Sequence, residues 1–479
     1  MNTVLAGVLA YVLIQLLAGV LISRGIRTES DYLVAGRRIG LGLATFSMFA
    51  TWFGAETCVG AAGKFYAEGL SGGWSDPFGY AIALLLVGLL FASPLWNRGL
   101  TTLADLFRAR FGEATERFAA LIMAPTSLFW AAAQIRAFGH VLSSASDLSL
   151  TAAIAIATVV VILYTCTGGL LADVITDLIQ GIAIVIGLLA LAIALSFSPE
   201  VSLSGAWRNV EPARLNPFGG EASLWFKADF LLTVILGSVV AQELAARILA
   251  SRSAAVAKNS ACLGAVMYLV VGLVPAWLGL MGPSLLPELQ DPEAFLPELA
   301  RRHLTPAAYI LFTGALVSAI LSTVDSTLLA AASLVSHNFM LSLRPGMSER
   351  HKLFLARAGV IVFGLMAFGL ALGADNIFEL VQQANGVGSA GVFVLMVFGL
   401  FTARLGGPRA GAATLAAGLV VWAWGTYVAR WPVCYLPSLG AALAVFLVVA
   451  WRENRRTSPP PSSRTRAGTS PGAPATTTL

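Results

Sequence analysis

The sequence predicts an all-α membrane protein with about thirteen transmembrane helices, and three observations indicate this class. Of the 479 residues, 57% are hydrophobic and only 11% are Asp, Glu, Lys or Arg, whereas about a quarter of the residues of soluble domains are charged. The mean hydropathy is +0.80. Apolar runs of about 20 residues, the length that crosses a bilayer as a helix, recur throughout the chain. These features exclude a soluble enzyme, a nucleic-acid-binding protein and a disordered protein.

The apolar runs are separated by polar segments. The predicted spans are 3–23, 40–61, 74–95, 118–144, 150–167, 174–197, 228–250, 258–282, 306–338, 353–373, 377–401, 408–429 and 433–451. The first run is a span rather than a signal peptide, because no basic region precedes it and no Ala-x-Ala cleavage site follows it. The spans define a transmembrane domain over residues 1–456. Residues 457–479 are rich in Pro, Ser, Thr and Arg, and this composition predicts a disordered cytoplasmic tail.

The positions of the basic residues predict the orientation. If the amino terminus lies outside, 22 of the 30 Lys and Arg residues fall in segments on the inner side, Arg247 among them, and seven fall outside. Basic residues accumulate on the cytoplasmic side of membrane proteins. We therefore expect an integral protein of the cell inner membrane, with its amino terminus outside and its carboxyl terminus in the cytoplasm. The net charge of +5 reflects this orientation rather than a nucleic-acid partner.

Two spans combine glycine with a carboxylate at mid-depth. The second carries Gly54 and Glu56, and the seventh carries Gly237 and Glu243. Ionisable side chains are costly inside a membrane and mark pathways or sites by default. In the second span the combination predicts a broken helix whose freed carbonyls can coordinate a cation. The alternative there is a glycine-mediated helix contact, with the carboxylate near a water-filled mouth.

Two further spans carry acidic and hydroxyl groups. In the sixth, Asp173, Asp177 and Gln180 are spaced i, i+4 and i+7, so they share one helix face. Asp177 is the stronger ion-site candidate, since Asp173 could cap the helix or lie in cytoplasmic water. The ninth span carries five polar residues within Ser322–Thr327, interrupted only by Val324, and its hydroxyls, carbonyls and carboxylate are hard ligands that suit a small hard cation. The alternative is that the hydroxyls bond carbonyls one turn back.

The fourth span offers an aromatic ring and an amide together. Gln134 lies one turn after Trp130, so a single ligand could contact both side chains. Trp130 and Trp52 lie too deep in their spans for the interfacial aromatic belt. Arg136 is a candidate counter-charge for the carboxylates of the second and seventh spans.

These residues identify a resemblance to the sodium:solute symporter family, and within it to the high-affinity choline transporter branch, over roughly residues 30–400. The stretches that carry it are Gly36-Arg37-Arg38-Ile39-Gly40-Leu41, Ala50-Thr51-Trp52, Phe129-Trp130-Ala131-Ala132-Ala133, Leu163-Tyr164-Thr165 with Gly168-Gly169-Leu170, Thr176-Asp177-Leu178-Ile179-Gln180, and Ser318 to Ser326. The resemblance implies a LeuT-like core of two inverted five-helix repeats, preceded by one extra span. The second and seventh spans are then its paired broken helices.

The resemblance also implies that Na⁺ is the coupling ion, and it implies where Na⁺ binds. The first implied site consists of the carbonyls of Ala50, Phe53 and Ala319 and the hydroxyls of Ser322 and Thr323. Some members add a second site, which here matches Asp177, Ser322 and Ser326. Asp325 stands at a hydroxyl position of that second site, where it could strengthen sodium binding or allow a proton to substitute.

The solute pocket departs from the choline branch. Choline carriers hold the quaternary ammonium in an aromatic cage by cation–π attraction. Two of the tryptophans implied by the resemblance are replaced here by Ala241 and Val381. The predicted solute-binding residues are Trp52, Glu56, Thr57, Trp130, Gln134, Gln242, Glu243 and Gln382. This set favours a smaller or more polar solute than choline, an amine or an amino-acid-like compound.

We therefore expect a sodium-coupled symporter that imports a small organic solute, either an amine, a choline-like or an amino-acid-like compound, by alternating access. The alternatives are a proton-coupled transporter of the same fold and a sensor that binds solute without moving it. An enzyme is not expected, because the sequence has no nucleophile–base pair, metal-type His cluster or nucleotide loop. The expected partners are the solute and membrane lipid, with no nucleic acid and no obligatory protein partner.

Overall fold

The computed structural model describes residues 3–457 apart from residues 24, 25, 145, 147, 200, 221, 344, 345, 375 and 376. Within these limits the regular structure is helical, and the only β-pairing is an isolated bridge between Ile39 and Ser251. The predicted tail lies outside the described residues from residue 458 onward.

The helices of the amino-terminal half are α1 (Thr3–Ser23), α2 (Glu29–Val34), α3 (Leu41–Trp52), α4 (Glu56–Ala61 continuing through Ala62–Glu68), α5 (Trp74–Asn97), α6 (Ala104–Phe111), α7 (Glu113–Ser144), α8 (Leu150–Phe197) and α9 (Leu203–Arg208). Those of the carboxyl-terminal half are α10 (Leu224–Val239), α11 (Gln242–Ala250), α12 (Ala254–Leu280), α13 (Phe295–His303), α14 (Pro306–Met340), α15 (Glu349–Gly373), α16 (Ile377–Gly386), α17 (Ser389–Phe401), α18 (Pro408–Val428) and α19 (Tyr435–Thr457).

The described helices are those of a polytopic membrane protein. Eight of them are each long and apolar enough to cross a membrane, and the pairs α10–α11 and α16–α17 bring the number of spans to ten. Helix also covers the other predicted spans, with α1 on the first and the broken pair α3 and α4 on the second. Large apolar side chains such as Val159, Leu163 and Ile193 are more than half exposed on α8. Apolar faces of this kind are suited to lipid.

Helix α8 contains two predicted spans in succession. It has 48 residues, so a straight helix would be about 72 Å long, more than twice the thickness of a bilayer core. The backbone leaves the helical region at Gly169, with φ 55° and ψ −175°. A β-carbon there would lie 2.6 Å from the ring of Tyr32. The close approach of Tyr32 and the positive φ both require glycine, and the break falls between the predicted fifth and sixth spans.

The second span is broken, as predicted. Helix α3 ends at Trp52, where the Gly54 N–H bonds to the Trp52 carbonyl over 3.0 Å instead of reaching back to Ala50. The chain becomes helical again at Glu56. A β-carbon on Gly54 would lie 2.7 Å from a carboxylate oxygen of Glu56 and 2.8 Å from the hydroxyl of Thr323. Glycine therefore brings α4 and α14 close to the break.

The seventh span is broken at the equivalent point. Helix α10 ends at Val239 and α11 begins at Gln242, while the Ala241 N–H bonds to the Ser238 carbonyl over 3.1 Å. A third break separates α16 from α17 at Gly388, which has φ 63°. The predicted pair of broken helices is thus present.

The centre of the fold is α14. Every residue from Ala315 to Ser333 is buried, and α14 packs most extensively against α8 and α7. It also contacts α3 and α11. Side chains from this central helix therefore reach both breaks and the buried face of α8.

Candidate solute and ion sites

The carboxylate of Glu56 is buried at the start of α4. Its side chain is 3% exposed. The indole Nε1 of Trp130 donates to one carboxylate oxygen over 3.0 Å, and Nε2 of Gln134 donates to the other over 2.7 Å. The amide oxygen of Gln134 accepts the N–H of Ala55 over 3.0 Å. Because Trp130 and Gln134 lie one turn apart on α7, both side chains reach the break in the second span. Together they bind the Glu56 carboxylate, and Gln134 also binds the backbone N–H of Ala55.

Aromatic rings surround this carboxylate. Trp52 and Trp130 meet edge to face with ring centroids 5.4 Å apart. Tyr80 stacks on Trp130 at 6.4 Å and meets Tyr268 at 6.0 Å. All four rings are buried. Tyr80 and Tyr268 are not among the residues predicted from the sequence, although Tyr268 lies as deep in its predicted span as the two tryptophans do in theirs.

A second buried carboxylate lies beside the first. Asp76, 3% exposed, accepts the Thr57 hydroxyl over 2.7 Å and the Tyr268 hydroxyl over 3.0 Å. Within the described part of the chain, neither Glu56 nor Asp76 forms a salt bridge with a basic residue. Sequence reasoning missed Asp76, and its signal is an acidic residue inside the predicted span 74–95. Thr57, predicted to bind solute, thus contacts Asp76.

A cavity of about 140 Å³ lies one helical turn from this cluster. Val59 on α4 and Ala137 on α7 line it, three residues after Glu56 and Gln134 respectively. Its polar lining residues are His140, Asp291, Glu293, Tyr309 and Thr313. The cavity supplies a space between the cluster and the segment that precedes α13.

Four of the five residues of the first implied sodium site converge. The Ser322 hydroxyl lies 2.8 Å from the Ala50 carbonyl and 3.0 Å from the Ala319 carbonyl, and the Thr323 hydroxyl lies 3.1 Å from the latter. Phe53 is fully buried at the break beside them. Carbonyl and hydroxyl oxygens are the hard ligands that Na⁺ requires, so these residues fit the ion.

The second implied sodium site contains a basic side chain. Arg247 on α11 is 1% exposed and forms salt bridges with Asp173 at 2.7 Å and with Asp177 at 3.1 Å. Its assignment to the inner polar segments was therefore wrong, because the helix buries it between α8 and α14. Asp173 is 4% exposed and neither caps a helix nor lies in water. Ser326 donates to Asp173, and Asp325 lines a small cavity with that residue.

The remaining predicted solute residues have no hydrogen bond to Glu56 among the described residues. The amide oxygen of Gln242 accepts the N–H of Leu103 over 2.9 Å. Glu243 is 1% exposed and lines a separate small cavity with Ser127, one turn from Trp130 on α7. Gln382 is half-buried on α16. The contacts of Gln242 and Glu243 thus lie outside the Glu56 cluster, whereas the helix that carries Gln382 packs against the Glu56–Ala61 segment.

The predicted counter-charge is directed elsewhere. Arg136 donates from Nη1 to the carbonyl of Ala371 on α15 over 2.9 Å. Both oxygens of Glu56 are held by neutral donors instead. The suggested pairing of Arg136 with Glu56 was therefore wrong.

Known proteins with similar sequences are membrane transporters. The model of the sodium:solute symporter family matches residues 32–417. A high-affinity choline transporter 1 of Caenorhabditis elegans is 31% identical over 384 residues, which are 74% of this chain and 64% of that protein. A sodium/proline symporter of Haemophilus influenzae is 26% identical over 477 residues, with 93% and 94% of the two chains covered. The chain thus spans less than two thirds of the length of the worm transporter.

The fold also has a solved counterpart. A Na⁺-coupled sialic acid symporter, in a substrate-bound outward-open state, aligns with a TM-score of 0.81 at 18% identity, over 95% of this chain and 98% of that one. At an identity this low, the similarity shows the fold alone. The match in fold confirms the predicted LeuT-like architecture.

Proposed function

Since the chain belongs to the sodium:solute symporter family, we propose that it is a sodium-coupled symporter that imports a small organic ammonium compound by alternating access. The compound is an amine, a choline-like or an amino-acid-like molecule. The observation that carries this proposal is a buried carboxylate, Glu56, that lies among aromatic rings with neutral partners only. It stands at the same helix break as the proposed sodium ligands.

The charge of the site favours a cationic group. A buried carboxylate without an opposite charge is costly, and Glu56 and Asp76 are two such groups. An ammonium group supplies the missing charge. The faces of Trp52, Trp130 and Tyr80 attract cations through their quadrupoles, so the rings add to the attraction of the carboxylates.

A second feature supports a solute that also carries an acceptor. The buried indole N–H of Trp52 has no hydrogen-bond acceptor among the residues that the structure describes. A carboxylate or a hydroxyl group of the solute could accept this N–H while its ammonium group faces Glu56. Amino acids and choline-like alcohols both combine these groups, whereas simple alkylamines lack the acceptor.

The proposed sodium site uses the carbonyls of Ala50, Phe53 and Ala319 and the hydroxyls of Ser322 and Thr323. The Thr323 hydroxyl and a Glu56 oxygen both face Gly54, where a β-carbon would touch each of them. Sodium bound here orders the break that also carries the solute site, so each ligand raises the affinity for the other. Inward movement of one charge contributes about 2.3 kcal/mol per 100 mV of membrane potential.

The proposed arrangement in the membrane follows the distribution of basic residues. Residues 1–456 form one transmembrane domain in the cell inner membrane, with the amino terminus outside and the carboxyl terminus in the cytoplasm. The 140 Å³ cavity, which Asp291 and Glu293 help to line, then lies on the outer side. Its acidic groups suit it to admit a cationic solute.

Uptake into liposomes tests this function. The purified protein is reconstituted with an inward sodium gradient and offered choline, proline and pantothenate in turn. We expect sodium-dependent accumulation of an ammonium compound and none of pantothenate, which is anionic. Uptake that is unchanged when K⁺ replaces Na⁺ contradicts sodium coupling. A proton gradient imposed without sodium tests the alternative of proton coupling.

A further inference from the structure

A guanidinium lies within the oxygen cluster that the sequence predicts as a cation site. Besides its two salt bridges, Arg247 donates from Nε to the Ser47 hydroxyl over 2.9 Å and from Nη2 to the Ser326 hydroxyl. Its Nη1 lies 3.2 Å from the carbonyl of Glu243, one turn back on the same helix. The side chain therefore connects α11 with α3, α8 and α14.

Three carboxylates surround this one guanidinium. Asp173 and Asp177 form salt bridges with it. The third carboxylate, Asp325 on α14, is 2% exposed and lies close enough to act on the charge of Arg247. One oxygen of Asp325 accepts the N–H of Ser326 over 2.9 Å. Buried carboxylates require a cation close by, and the nearest one in this cluster is part of the protein.

The donor set is one that either an ion or a guanidinium can use. Carboxylate and hydroxyl oxygens bind small hard cations, and the planar fork of arginine binds the same oxygens through its five N–H groups. Arg247 occupies the middle of the cluster, and a covalently attached cation cannot be released into the cytoplasm.

We propose that Arg247 is the resident cation of this cluster and takes the place of a second coupling ion, so that one sodium ion binds per transport cycle. That ion binds at Ser322 and Thr323, whose hydroxyls face the carbonyls of Ala50 and Ala319 rather than Arg247. This inference rests on the proposed sodium coupling and specifies its ion count.

Binding of ²²Na⁺ to the purified protein tests the count, because it needs no knowledge of the solute. We expect one ion per protein in the wild type, one in Arg247→Lys, which keeps the cation, and one in Asp177→Asn. Removing the guanidinium in Arg247→Met should open the cluster and raise the count to two. Arg252→Met, which removes an exposed arginine, is the matched control and should bind one ion.

The other outcomes separate the two proposals. Two ions in the wild type, with one lost in Asp177→Asn, would show that the cluster itself binds sodium and would overturn the inference, even if Arg247→Met does not fold. One ion in a folded Arg247→Met variant also overturns it. No ion in the wild type but one in Arg247→Met refutes sodium coupling and retains the role of Arg247. No ion in either protein refutes both.

Discussion

The hydroxyl of Ser322 lies 2.8 Å from the carbonyl oxygen of Ala50, a carbonyl that is available because α3 ends two residues later. In a continuous helix the N–H of Gly54 would take that carbonyl. Here the Gly54 N–H bonds to Trp52 instead. The contact joins the first broken helix to the central helix at the proposed sodium site.

This contact predicts the effect of removing the two hydroxyls. Ser322→Ala and Thr323→Ala each remove one proposed sodium ligand, so we expect the sodium concentration for half-maximal uptake to rise about tenfold or more, equivalent to about 1.4 kcal/mol. Ser196→Ala is the control, because its hydroxyl also bonds a carbonyl one turn back, over 2.8 Å, but on an exposed part of α8. An unchanged sodium requirement in both variants argues against this site.

A pair of glycines on one segment tests the helix break. A β-carbon at Gly54 would lie 2.7 Å from Glu56, 2.8 Å from Thr323 and 3.0 Å from Gln134, whereas one at Gly42 would have no neighbour within 4 Å. We expect Gly54→Ala to abolish sodium-dependent uptake and Gly42→Ala to retain it. Measuring the thermal stability of both variants shows whether Gly54→Ala still folds. Normal uptake by Gly54→Ala would contradict the tight geometry of the break.

Asp105, outside the spans, predicts a pH dependence of stability. Burial raises the pKa of its carboxyl. Hydrogen bonds from His337 and from the N–H groups of Thr102 and Thr101 lower the pKa by more than burial raises it, so the net pKa lies below the usual value. A lowered pKa means that the ionised form stabilises the fold. That stabilisation is complete above about pH 4, the ordinary Asp value, and is lost as the pH falls through the lowered one.

We therefore expect Asp105→Asn to lower the free energy of unfolding at pH 7 by roughly the 1.5–3 kcal/mol typical of hydrogen bonds to a charged group, and to lower the melting temperature with it. The deficit relative to the wild type should shrink as the pH is lowered toward 3. Thermal unfolding in detergent at several pH values measures this, with the exposed Glu211→Gln as the control. A deficit that does not vary with pH would show that the charge of Asp105 has no part in it.

The sequence was sufficient for the features that depend on local pattern. Apolar run length predicted the spans, and glycine beside a carboxylate predicted the break at Glu56. The one-turn spacing of Trp130 and Gln134 on α7 indicated that both side chains can reach one group, and in the structure both donate to the Glu56 carboxylate, whereas a shared contact with the solute stays a prediction. In each case the information lies within a few turns of one helix.

The sequence was insufficient where distant helices meet. Arg247 was assigned to a polar segment because hydropathy reports how apolar a window is but not which side of the helix faces the bundle. Its partners Asp173 and Asp177 lie 74 and 70 positions earlier in the chain. Tyr268 and Asp76 each carry a local signal, their depth in a predicted span, but their pairing joins α12 to α5 across 192 positions and has no local signal.

The charge of Glu56 should determine which solutes bind. Glu56→Gln keeps the size of the side chain but removes the negative charge that we propose faces the ammonium group. We expect the affinity for the ammonium solute to fall at least tenfold, or about 1.4 kcal/mol, while the affinity for a neutral isostere of the same solute falls little.

Trp130→Phe keeps an aromatic ring and removes the 3.0 Å hydrogen bond to Glu56, so the loss of binding free energy for the ammonium solute should be smaller, about 1 kcal/mol. Solute-induced shifts in melting temperature, measured with sodium present, compare the variants, with Glu211→Gln as a control that removes an exposed carboxylate. Equal weakening for the charged and the neutral solute would mean that Glu56 shapes the pocket without recognising the charge.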